Sequence, residues 1–304
     1  MRDFMSVNCH LVLGLCVAAL TAGSAVAQSV SQTAATPAPA IAATPIPADA
    51  SWTVAPENLL VIDTNKGRIL VGLDPRLAPQ SVERIRTLAD RGFYDGLAWH
   101  RVMAGFMAQT GDPLGTGAGS SDLPDVPGEF QFRRGRDARF ATVAESGAGT
   151  RGIMGFMPLQ TQPDAQMMFN ADGRTDAFGL FCTGIAGMAR NTDPNSANSQ
   201  FFLTLAESAN LNGTYTPFGR VLVGQEVVAA LKVGPEAANG RVTDPDVMTR
   251  VRTAAAMPEA ERPSVRVMDV ANPAYVAVLA ERRAARGTRF TICDALPPAE
   301  MVSG

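Results

Sequence analysis

The chain has 304 residues, with 26 Lys+Arg against 29 Asp+Glu and a net charge of −3, so charge gives no case for a nucleic-acid partner. It holds two histidines, and His10 lies in a start that reads as a cleaved segment; His100 alone excludes a multi-histidine metal centre. Neither of its two lysines, Lys66 and Lys232, stands before Ser or Thr in a Gly-Lys context, which excludes a phosphate-binding P-loop.

Residues 1–27 combine Arg2, an apolar run at 11–20 (LVLGLCVAAL) and the small-residue pattern Ala25-Val26-Ala27. This pattern predicts a signal peptide cut after Ala27, and hence a periplasmic or secreted protein. The run is shorter than the ~20 apolar residues of a bilayer span, so no membrane span is expected in the mature chain. Residues 28–50 are rich in Ala, Thr and Pro and predict a flexible, locally extended tether, leaving 51–304 as the folded domain. Cys9 and Cys16 leave with the signal. Cys182 and Cys293 remain, either as a disulfide, which an oxidising compartment permits, or as two buried thiols; spacing does not choose between them.

Residues 59–63 (LLVID) and 68–73 (RILVGL) read as a hairpin around Thr64-Asn65-Lys66-Gly67, with Gly67 supplying positive φ. Val82, Ile85 and Leu88 recur at helical spacing, so 79–91 is a predicted helix ended by Gly92. Short apolar runs follow at 99–107, 185–189, 201–205 and 218–223. A second short helix is predicted over 225–232, a helical pattern over 273–286, and a closing strand over 289–293 (RFTIC). Many short strands with turn punctuation predict a mainly β fold, a barrel or sandwich, with the helices free to close its ends.

The glycine cluster Gly111, Gly115, Gly117 and Gly119 lacks the spacing, the lysine and the following helix of a phosphate cradle, and reads as a tight surface loop. The segment that contains it, FYDGLAWHRVMAGFMAQTGDPLGTG from Phe93 to Gly117, resembles the cyclophilin signature. Two further blocks follow in order: Met188 to Phe202 (MARNTDPNSANSQFF) and Leu211 to Val221 (LNGTYTPFGRV). The resemblance covers roughly 59–232 and the predicted terminal strand near Cys293. It implies an eight-stranded antiparallel β-barrel capped by two helices, and peptidyl-prolyl cis–trans isomerase activity. Its ligands would be proline-containing polypeptides, with no cofactor.

That chemistry suits the residues present. Rotation about a peptide bond faces a barrier of ~18–20 kcal/mol from amide resonance, and no bond is broken. A catalyst has to favour the twisted amide, whose prolyl nitrogen gains a lone pair, over the planar one. A hydrogen-bond donor near that nitrogen does so, and Arg101 offers a rigid, permanently charged fork of donors. By the resemblance Arg101 is the catalytic arginine, and Gln109 bonds the substrate carbonyl or orients Arg101. Phe106, Met107, Phe202, Leu211 and Phe218 match proline-pocket positions, and Tyr215 the pocket edge. Ala189, Arg190 and Asn191 match the edge that receives substrate backbone, and His100 is a supporting wall rather than a general base.

Three departures stand out. Asn210 occupies a position where many eukaryotic members carry a cyclosporin-contacting tryptophan, so cyclosporin binding is expected to be weak. The stretches near 133–181 and 234–289 exceed the compact family fold, and read as packed embellishments or partner surfaces. A cyclophilin-shaped chaperone or binding module with dispensable isomerase activity is the rival reading. A secreted hydrolase would need His100 paired with a serine and an acid, which no motif supplies.

Overall fold

The structure, a computed structural model, describes residues 46–302; the predicted signal and the tether up to residue 45 lie outside them. In chain order the body runs β1 (Ser51–Thr53), β2 (Leu59–Thr64), β3 (Gly67–Leu73), α1 (Pro79–Asp90), β4 (Arg101–Met103) and β5 (Met107–Thr110). It continues through β6 (Phe132–Arg134), β7 (Phe140–Ser146), β8 (Gly149–Met154), β9 (Met157–Thr161) and β10 (Thr175–Gly179). It ends with β11 (Ile185–Met188), β12 (Phe201–Thr204), β13 (Pro217–Val223), α2 (Gln225–Ala229), β14 (Met248–Thr253), β15 (Ser264–Met268), α3 (Pro273–Arg286) and β16 (Ala299–Val302). None of the described helices is long and apolar enough to cross a membrane.

Eight strands form one curled antiparallel sheet in the order β14-β2-β3-β13-β11-β12-β5-β4. Its two edges are joined by isolated bridges, Ala98 to Val247 and Arg101 to Arg241, and by the Trp99 N–H donating to the Asp246 carbonyl at 2.9 Å. Inside the curl Phe201 meets Tyr94, Trp99 and Phe218 edge-on, with ring centroids 5.5, 6.2 and 6.1 Å away. Helix α1 packs Val82, Ile85 and Leu88 inward, as its spacing predicts. The Glu129 carboxylate closes its N-terminus by accepting from the Gln80 and Ser81 N–H groups, both at 2.9 Å, where the helix dipole favours an anion. The hairpin of β2 and β3 and the positive φ of Gly67 (136°) also follow the sequence pattern.

Several boundaries differ from the sequence expectation. Residues 46–50 belong to the folded body rather than to the tether. Ile46 and Ala50 are buried, and the Ala50 carbonyl accepts from the Asp269 N–H at 2.8 Å. Helix α2 stops at Ala229, because the Lys232 N–H turns away to the Asp246 carboxylate at 2.8 Å.

The predicted closing strand at 289–293 is a pair of 3-10 turns. Thr291 and Asp294 form a capping box there, and Cys293 is bonded to Cys182, so the backbone N–H groups are used locally rather than in a ladder. The strand that completes the curled sheet is β14, inside the stretch read as a second addition.

The remaining additions build two further sheets, β6-β10-β9-β8-β7 from the first stretch and β1-β15-β16 from both ends of the domain. Met154 and Met157 of the Met-rich stretch are buried, whereas Met168 and Phe169 are 68% and 84% exposed. The first addition is thus mostly packed structure with one apolar tip.

Candidate active site

Strand alternation places the site on the outer face of the curled sheet. On β12, Phe201 points into the core and Phe202 outward; on β5, Ala108 is enclosed and Gln109 faces out; next to β4, His100 is buried and Arg101 half-buried. The register then aligns the outward residues. Arg101 pairs with Gln109, Gln109 with Phe202, and Phe202 with Gly187, so one row crosses four neighbouring strands. Glycine is required at the end of this row, since a Cβ on Gly187 would meet the Phe202 ring at 2.6 Å and the Phe181 ring at 2.7 Å. Those two rings stack with centroids 5.8 Å apart, and Tyr215 meets Phe202 edge-on at 5.9 Å.

The row floors a cavity of about 290 Å³, lined by Arg101, Phe106, Met107, Gln109, Ala189, Arg190, Phe202, Asn210, Leu211 and Tyr215. One side is apolar and of side-chain size; the other carries the guanidinium. A second cavity of about 400 Å³ shares Gln109, Ala189 and Arg190 with it and adds Asn191, Asp125, Asn198 and Gln200. A larger hollow beside Trp52 and Phe156, about 560 Å³, shares no residue with either.

Arg101 is held on three sides. Its Nε donates to the Asn239 carbonyl at 3.0 Å, Nη1 to Gln109 Oε1 at 3.1 Å, and Nη2 to Asn239 Oδ1 at 3.0 Å and Met103 Sδ at 3.2 Å. Four of the five guanidinium N–H groups are thereby engaged, and one on Nη1 is left over beside the cavity. Burial pulls the guanidinium below its ordinary pKa, and the group stays cationic at any working pH.

The amide chain behind it is directional. Gln200 Nε2 donates to the Gly119 carbonyl at 2.8 Å, so Gln200 Oε1 accepts from Gln109 Nε2 at 2.9 Å, and Gln109 Oε1 faces Arg101. Gln109 thus holds Arg101 through Oε1 and Gln200 through one amide hydrogen, and its second amide hydrogen has no partner among the described residues.

The glycine loop supports this chain and cradles no phosphate. Asp112 occupies it, accepting from the Leu114 N–H at 2.7 Å, the Thr116 N–H at 2.8 Å and the Gly117 N–H. Burial opposes the charge, but these backbone donors, with Gly119, hold the carboxyl below its ordinary pKa.

Nine of the twelve predicted binding and catalytic residues line the cavity; three do not. Phe218 is fully buried against Phe201 in the core, because β13 is covered on both faces and this side chain takes the inner one. His100 points inward as well, being 5% exposed, and burial pulls its imidazole below the ordinary value, leaving it neutral. It is a core neighbour of Arg101 rather than a wall of the pocket. Asn191 belongs to the second cavity.

Three partners escape the sequence reading, Met103, Gln200 and Asn239. Gln200 sits in the quoted SANSQFF block, where outward alternation with Phe202 marks it. Asn239 lies 138 residues from Arg101, and only its local φ of 52° sets it apart.

Cys182 and Cys293 form a disulfide. It ties the C-terminal addition to the segment before β11, beside Phe181, whose N–H donates to Asn212 Oδ1 at 2.8 Å next to Leu211.

The family described as "Cyclophilin type peptidyl-prolyl cis-trans isomerase/CLD" matches residues 59–253. A protein of Brucella suis biovar 1 named "Probable peptidyl-prolyl cis-trans isomerase" is 34% identical over 202 residues, 63% of this chain and 80% of that protein. A Rhizopus delemar protein named "Peptidyl-prolyl cis-trans isomerase-like 1" is 33% identical over 183 residues, 60% of this chain and 85% of that one. The crystal structure of a cyclophilin from Hirschia baltica superposes with a TM-score of 0.75 at 30% identity, covering 83% of this chain and 93% of that one. That likeness runs past the ends of the family match.

Proposed function

Because the chain belongs to the cyclophilin-type peptidyl-prolyl cis–trans isomerase family, we propose that it twists X–Pro bonds in the cavity beside Arg101, and does so in exported proteins whose folding waits on proline. The observation that carries the residue roles is the row Arg101, Gln109, Phe202 in register on adjacent strands. Phe106, Met107, Phe202, Leu211 and Tyr215 would take the proline ring and exclude water from one side of the bond. The free Nη1 hydrogen of Arg101 would donate to the prolyl nitrogen as it becomes pyramidal, an interaction absent from the planar amide and therefore catalytic. The spare Gln109 hydrogen and the backbone at Ala189 and Arg190 would hold the carbonyl side. Export is supported by the signal-like start and by the disulfide, which suits an oxidising compartment.

A nuclear magnetic resonance exchange measurement on an Ala-Pro peptide tests the activity. Peptide binding with an exchange rate no faster than the uncatalysed one would favour the binding-module reading instead.

Two further results are expected. Asn239→Gly keeps the positive φ and the carbonyl that accepts from Arg101 Nε, and deletes only Oδ1. It should lower kcat by roughly tenfold or more with little change in KM or melting temperature, as the loss of one hydrogen bond to a charged group, worth ~1.5–3 kcal/mol, implies. An unchanged kcat would mean that Oδ1 does not position Arg101. Cyclosporin should inhibit the wild type only weakly, and Asn210→Trp, which adds an aromatic wall at the cavity rim, should strengthen inhibition by about tenfold or more. Submicromolar inhibition of the wild type contradicts the first half of this expectation.

A further inference from the structure

The cavity entrance is cationic in a chain whose net charge is −3. Several arginines elsewhere are neutralised by a carboxylate, among them Arg68 by Asp63, Arg76 by Asp74 and Arg252 by Asp95. Arg101, Arg190 and Arg241 form no ion pair among the described residues. Arg101 and Arg241 face each other across an isolated bridge, and Arg241 Nη2 donates to the Thr116 carbonyl at 2.6 Å, at the start of the loop that lines the second cavity.

Arg190 stands in the wall common to both cavities and is fixed there without being neutralised. Its Nε and Nη2 donate to the Thr214 carbonyl at 3.2 and 2.8 Å, and Nη1 to the Asn191 carbonyl at 2.8 Å. Its plane lies over the Tyr215 ring at 4.5 Å and faces Phe130 at 5.6 Å. Two of its five N–H groups remain for a ligand. A guanidinium already ordered by stacking and by carbonyls loses little further freedom when a carboxylate arrives.

The carboxylates nearby do not fill this role. Asp112 is enclosed by backbone N–H groups. Asp193 accepts from the Asn195 N–H at 2.9 Å within its own loop. Asp125 accepts from Asn198 Nδ2 at 2.8 Å and is the one acidic residue that lines either cavity.

We propose that Arg190, supported by Arg101 and Arg241, makes the site selective for X–Pro segments carrying an aspartate or glutamate within two residues of the bond. The inference rests on the isomerase reading and adds a substrate class to it. A charged partner at this wall also raises the encounter rate, so the selectivity belongs to kcat/KM and weakens with salt.

The test uses matched peptides with Glu, Ala or Lys at each position within two residues of a single X–Pro bond, with exchange rates measured at low and high salt. In at least one position Glu should exceed Lys by roughly threefold to tenfold in kcat/KM, the range of an ion pair at a partly exposed site. The Glu-to-Lys ratio should fall close to one in Arg190→Gln, shrink in high salt, and grow in Asp125→Asn. The ratio is unaffected by a general loss of activity, so a damaged variant cannot imitate the result. Equal rates at every position, a preference for Lys, or a Glu preference that survives Arg190→Gln would each overturn the proposal. If the Ala peptides are turned over and the ratio is flat, this proposal alone fails; if no peptide is turned over, the isomerase reading fails and takes it along.

Discussion

Arg101→Ala is expected to lower kcat/KM for X–Pro isomerisation by roughly 10²–10³-fold, the usual effect of removing one donor aimed at transition-state charge. Thermal stability should barely move. The side chain is half-buried on the outer face of the sheet, and the groups it would leave, Gln109 Oε1 and the Asn239 carbonyl, sit beside an open cavity where water can replace it. Arg101→Lys should recover little, because a single ammonium cannot satisfy Asn239, Gln109 and the substrate nitrogen from one point. Exchange spectroscopy on an Ala-Pro peptide, with a melting curve for each variant, decides the matter. An alanine variant within tenfold of the wild type would remove Arg101 from the reaction.

The second large effect concerns stability. The disulfide joins residues 111 positions apart, so it restricts a long loop in the unfolded chain. Replacing Cys182 and Cys293 together with serine should cost about 2–5 kcal/mol of unfolding free energy, read from the denaturant midpoint together with the slope, which should rise because the unfolded chain is no longer cross-linked. Reducing agent should produce a comparable loss in the wild type and none in the variant. A midpoint shift worth less than about 1 kcal/mol would mean that the additions hold the C-terminal part without the bond. Catalysis should fall less than stability, since the bond reaches the pocket only through Phe181 and the loop at Asn212.

The elements legible in the sequence are those whose signals are local. The β2–β3 hairpin rests on its own turn, and α1 on three apolar residues at helical spacing and a following glycine. Three ordered motif blocks bring most of the pocket with them.

What stayed hidden depends on neighbours far along the chain. Phe218 reads as a pocket residue because β13, covered on both faces, carries no alternation to say which side chain points inward. Residues 289–293 alternate like a strand, yet a Thr–Asp capping box and a disulfide bend them into turns. Asn239 carries no motif at all. It becomes a partner of Arg101 only once the curl brings 241–248 against the strand that bears the arginine.

The alternation on β12, β5 and the approach to β4 has a consequence for how this chain can change over generations. Each of these segments carries two interleaved messages, one addressed to the core (Phe201, Ala108, His100) and one to the cavity (Phe202, Gln109, Arg101). Substitutions can revise either message while the other is left intact. Gain or loss of a single residue exchanges them, aiming the arginine at the aromatic interior and phenylalanine at the cavity. Lineages of this enzyme should therefore vary in length only between these segments, where the five-stranded sheet has already been accommodated without disturbing the row.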